Sequence, residues 1–63
     1  MDTIKVTELV ADVARKVKMP ELLVHFRLQE AAQRLGMTWG FKVDTVTAIL
    51  ITEEAATKCK WSL

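Results

Sequence analysis

With one cysteine, Cys59, the chain cannot close an internal disulfide. With one histidine, His25, it cannot assemble a zinc site of the usual Cys/His type within a single copy. Long apolar runs are missing too. The longest, residues 22–24 and 48–51, fall far short of the ~20 residues that span a bilayer. Residues 1–20 are charged throughout and contain no apolar stretch of the kind that leads an export signal. A free thiol without such a signal points to a cytoplasmic or nuclear protein with no membrane partner. There is no glycine-rich phosphate loop, and a net charge of +1 argues neither for nor against a polyanionic partner.

What the chain does have is apolar content, 51% of 63 residues, enough for one domain over residues 1–63. A domain of this size buries only about 60% of the surface its unfolded chain exposes. Small domains commonly gain stability from a disulfide, a metal or a second subunit; without the first two, this one is either a well-packed monomer or an oligomer, and the 51% apolar fraction fits both. Of the two, a homodimer is the expected state.

Charge is unevenly spread. Residues 15–42 carry Arg15, Lys16, Lys18, Arg27, Arg34 and Lys42 against Glu21 and Glu30, a balance of +4, while both ends are slightly acidic. The middle of the chain is the basic part.

Periodicity sets out the elements. Residues 3–6 alternate as a short strand would, with Ile4 and Val6 on one side. Thr7 is placed to cap a helix whose stripe is Leu9, Val10, Val13, Ala14 and Val17. Pro20 ends that helix and starts another, with Val24, Leu28, Ala31, Ala32 and Leu35 inward and Gly36 suited to close it. Leu22, Leu23 and Phe26 fall outside this stripe, so the first half of the second helix is apolar nearly all round. Trp39, Phe41 and Val43 then alternate with polar residues, and seven of residues 43–52 are β-branched. This predicts a β-hairpin turning at Asp44 and Thr45 and returning over residues 46–51. Thr52 would cap a C-terminal helix with Glu53 and Glu54 in its first turn. Val43, Val46 and Leu50 also fit helical spacing, which leaves an all-α three-helix domain as the alternative. The predicted class is α+β: short strand, two helices, β-hairpin, C-terminal helix.

This order of elements resembles the winged-helix superfamily. The residues concerned are Ile4-Lys5-Val6-Thr7-Glu8-Leu9, Pro20-Glu21-Leu22-Leu23, Arg34-Leu35-Gly36 and Ile49-Leu50-Ile51-Thr52-Glu53-Glu54. The family has a further helix before its first strand, for which this chain has no room, and its first helix is shorter. The resemblance implies a DNA-binding domain in which the second helix reads base edges.

No catalytic constellation is legible. Cys59 shares an apolar stripe with Ala55 and Ala56, 34 residues from His25, and reads as a buried thiol. Glu53 and Glu54 are adjacent, so on a helix their carboxylates diverge. The chain reads as a binding domain, not an enzyme, with no cofactor, no metal and no small-molecule substrate. The first expectation is a DNA-binding homodimer that contacts phosphates with Arg27, Arg34 and Lys42, and base edges with His25, Gln29 and Gln33; the alternative is a protein-interaction module. As a protein-interaction module it would use Leu22, Leu23, Phe26, Trp39 and Trp61, together with the apolar hairpin.

Overall fold

A computed structural model describes residues 2–61. The order is β1 (Thr3–Lys5), α1 (Val6–Val17), α2 (Glu21–Arg34), β2 (Lys42–Asp44) and α3 (Thr45–Cys59). The class is α+β. The two strands form an antiparallel ribbon in which Thr3 faces Asp44, Ile4 faces Val43 and Lys5 faces Lys42. Backbone hydrogen bonds extend the ribbon at both ends, Val6 N–H donating to Phe41 O (2.8 Å) and Thr45 N–H to Asp2 O (3.2 Å). Each strand runs directly into a helix, so α1 and α3 leave the ribbon from opposite ends.

The core lies where α2 packs against both α1 and α3. Val24, Leu28, Ala31 and Ala32 on α2 are fully buried, as are Ile51 and Ala55 on α3. Leu9, Val10, Val13 and Ala14 close it from α1, and Val43 from the ribbon. Complete burial of a side chain such as Leu28 or Ile51 contributes about 1.5–3 kcal/mol. The alanines leave room for the helices to approach closely.

The ends of α2 follow the sequence reading. Pro20 occupies the N-cap position. Gly36 is left-handed (φ 68°), with its N–H on Gln33 O (3.1 Å) and the Met37 N–H on Ala32 O (2.8 Å). This is a complete Schellman closure, and Met37 packs on the core as that motif favours. The other caps differ from expectation. α1 starts at Val6 with Lys5 in the cap position and no side-chain cap, so Thr7 lies inside the helix. α1 stops at Lys18, which takes the left-handed conformation (φ 58°) without being glycine.

The largest correction concerns residues 46–51. They are not the return strand of a hairpin but the first half of α3, and the partner of β2 is β1, from the start of the chain. Asp44 starts the helix by accepting a hydrogen bond from Thr47 N–H at Oδ1 (3.3 Å). Ala48, Ile51 and Ala55 then recur at helical spacing and are buried. The β-branched residues disfavour helix by only a few tenths of a kcal/mol each, less than the burial of Ile51 returns. Thr52 is consequently mid-helix, its Oγ1 donating to Ala48 O (2.7 Å), and Glu53 and Glu54 are not in a first turn.

Candidate interaction surface

Because residues 46–51 are helical, their apolar side chains divide. Ala48 and Ile51 face in, while Val46, Ile49 and Leu50 stand on the outer face of α3 at 63%, 58% and 42% exposure. They sit at i, i+3 and i+4, which makes them one ridge. Glu53 continues the same face one turn on.

Beside this ridge runs a groove of about 450 Å³ between α1 and α3. Ile4, Leu9, Val13 and Ala48 line it, and the last three are the buried ones, so its floor is apolar. Its charged edges are Asp12 and Lys16 on α1 and Glu53 on α3. Ile49 belongs both to the ridge and to the groove wall.

A second apolar face lies on α2, where Leu22 is 69% exposed and Phe26 53%, with Leu23 partly exposed. These are three of the five interface residues predicted from sequence. The other two are placed differently. Trp39 and Trp61 pack against the core, and their indole Nε1 atoms are buried without a hydrogen-bond partner among the described residues.

The residues assigned to nucleic acid are spread over the molecule. Arg27 and Arg34 lie two turns apart on one flank of α2, and Gln29 and Gln33 on the other. Arg34 leans toward Glu30, with its Nη1 3.8 Å from the carboxylate. His25 turns inward to Trp39, the ring centroids 5.7 Å apart. Lys42 is on the ribbon, opposite Lys5. Beside that pair Phe41 is largely exposed, with Lys5 Nζ 5.9 Å from its ring centroid.

The remaining basic side chains of the middle segment are largely partnered. Lys16 Nζ and Arg15 Nη2 both reach the Asp12 carboxylate, at 3.2 and 3.1 Å. Hydrogen bonds from Lys16 and Arg15 hold the Asp12 carboxyl below its ordinary range. Sequence reasoning missed the ridge and the groove. The signal was the helical spacing of Val46 and Leu50, outweighed there by β-branching.

Cys59 is a half-buried free thiol on α3, on a different helix from His25. Among the described residues no three of His, Cys, Asp and Glu stand close enough to hold a metal ion. No helix among them is long and apolar enough to cross a membrane.

The fold and surface define a small, compact α+β domain in which α2 and α3 carry uncovered apolar faces. The chain matches no family model, no curated protein and no solved structure.

Proposed function

We propose that this chain is a non-catalytic interaction module that self-associates through apolar side chains its own core leaves uncovered. The observation that carries this reading is the exposure of Leu22 and Phe26 on α2 and of Val46 and Ile49 on α3, each more than half exposed. Single exposed apolar residues are ordinary, whereas clusters of them on neighbouring helix turns mark contact surfaces. The small interior supports the same view, because a core built largely from valine and alanine gains from a second subunit. Sedimentation velocity over a concentration series tests it. A mass that rises to twice the monomer with concentration is the expected result, and a monomer at every concentration would sink the reading.

A second reading, binding of nucleic acid, draws support from the ribbon and from Arg27. Lys5 and Lys42 stand opposite one another beside the exposed ring of Phe41, the combination of cation and stacking surface that single strands favour. Arg27 is exposed and makes no ion pair among the described residues. Against it, Arg15, Lys16 and Arg34 have carboxylate partners, which leaves fewer cations to release counterions from phosphates. Fluorescence anisotropy with single-stranded and duplex oligonucleotides at two salt concentrations decides this. Salt-sensitive binding that is lost on Arg27→Ala with Arg34→Ala favours α2, and loss on Lys42→Glu favours the ribbon. No binding at low salt removes the reading.

A further inference from the structure

We infer that the β1–β2 ribbon is a site for single-stranded nucleic acid, with a base stacked on Phe41 and the adjoining phosphates held by Lys5 and Lys42. This rests on the nucleic-acid reading above and gives it a place and a strand state.

The pairing of the two lysines is the first reason. Val6 N–H donates to Phe41 O and Thr45 N–H to Asp2 O. Hydrogen-bonded pairs alternate along an antiparallel ribbon, so Lys5 and Lys42 form a pair of the other, closer kind, with Cα atoms about 4.5 Å apart. Both side chains are exposed. Neither has a carboxylate partner among the described residues, where the ion pairs are those of Asp12 and Glu30. Like charges directly opposite weaken the ladder. Phosphate oxygens brought to the pair offset that repulsion and release counterions as they bind.

The aromatic ring is the second reason. Phe41 is 69% exposed, even with Lys5 Nζ 5.9 Å from its centroid. Its backbone is held by the 2.8 Å bond to Val6, and Val43, two residues on, is buried. A ring on an anchored backbone beside two cations suits the stacking of an unpaired base. Within a duplex the bases are already stacked on one another, so a duplex could offer this face only its phosphates. On α2, Phe26 and Arg27 are also exposed, but successive residues of a helix diverge by about 100°.

Asp44 sets the limit of the site. It follows Lys42 by two residues on the same face of β2, opposite Thr3, and its carboxylate caps α3. Phosphates are accepted only at the Lys5 and Lys42 end.

The test is fluorescence anisotropy of the whole chain with a labelled oligothymidylate and with a duplex, over a salt series. Each phosphate neutralised on a single strand contributes about −0.7 to the slope of log affinity against log salt. Lys5→Ala and Lys42→Ala should each flatten the slope by about that amount. Phe41→Ala should weaken oligothymidylate binding roughly tenfold, with the slope and any duplex binding unchanged. Lys42→Glu should bind least while keeping the circular dichroism of the parent, which separates lost contact from lost fold. No oligothymidylate binding at low salt would overturn the nucleic-acid reading itself. Binding that survives Phe41→Ala and Lys42→Glu, and is lost in Phe26→Ala with Arg27→Ala, would leave that reading standing and overturn this placement. Duplex bound as tightly as the single strand would overturn the strand state.

Discussion

Lys5 and Lys42 face each other directly across the antiparallel ribbon, on its outer side, while the neighbouring pair Ile4 and Val43 points into the core. Like charges so placed oppose the pairing, by an amount in the range of about 0.2–1 kcal/mol that cross-strand pairs contribute. Lys42→Glu should therefore raise the melting temperature, and the gain should shrink as salt is added. Thermal unfolding at low and high salt measures it. A loss of stability at low salt would mean that the lysines are held apart by contacts beyond the ladder.

Ile49 and Ile51 distinguish the helix from a strand in solution. Two residues apart, they would share one face of a strand, and they take nearly opposite faces of α3, at 58% and 0% exposure. Ile51→Ala should cost about 2–5 kcal/mol and unfold much of the population, since small domains have little stability to lose. Ile49→Ala should cost less than about 0.5 kcal/mol when measured at protein concentrations low enough to keep the chain monomeric. Denaturant titrations of the two variants side by side give the answer, and equal costs would argue for the strand.

Asp44 ends β2 and caps α3 with one side chain, through its bond from Thr47 N–H. Replacing it with alanine should cost about 1 kcal/mol, the usual value of a lost carboxylate cap. Asp44→Asn should recover most of that, because the amide oxygen can still accept. Chemical denaturation of both variants checks the order, and an Asn variant as weak as the Ala variant would assign the loss to charge and not to the cap.

The Asp12 carboxylate gives a pH dependence of definite sign. Hydrogen bonds from Lys16 and then Arg15 lower its folded pKa below the ordinary value. Its contribution is therefore present above the unfolded carboxylate range and is lost as pH falls through the folded value. The group is exposed, so the effect is small and weakened by salt. Asp12→Asn should lower the neutral-pH melting temperature slightly and leave the strongly acid one unchanged. A pH series of melting curves for both proteins tests this, and parallel curves would show that the cluster contributes nothing.

Local signals carried α1 and α2. The stripe of α1 is strict, Pro20 and Gly36 mark the limits of α2, and both marks act within a few residues. The apolar surplus of Leu22, Leu23 and Phe26 was legible for the same reason, since it needs only the helical period. The division of residues 46–51 was not. Val46, Ile49 and Ile51 fit a strand by propensity and Ala48, Ile51 and Ala55 fit a helix by period, and over so short a run the two differ by little.

The sequence by itself determined α1 and α2, the buried stripe of each apart from Leu35, which is 38% exposed, and the excess of apolar side chains over what they can bury. Only the tertiary structure decided that β2 pairs with β1, across the whole length of α1 and α2. That pairing commits the chain from Thr45 onward to a helix, because α2 then offers a face where Ala48, Ile51 and Ala55 can be buried. The same choice turned Val46, Ile49 and Leu50 outward and opened the groove beside them. Burial against a distant element outweighs local preference when the local preference is worth only tenths of a kcal/mol per residue.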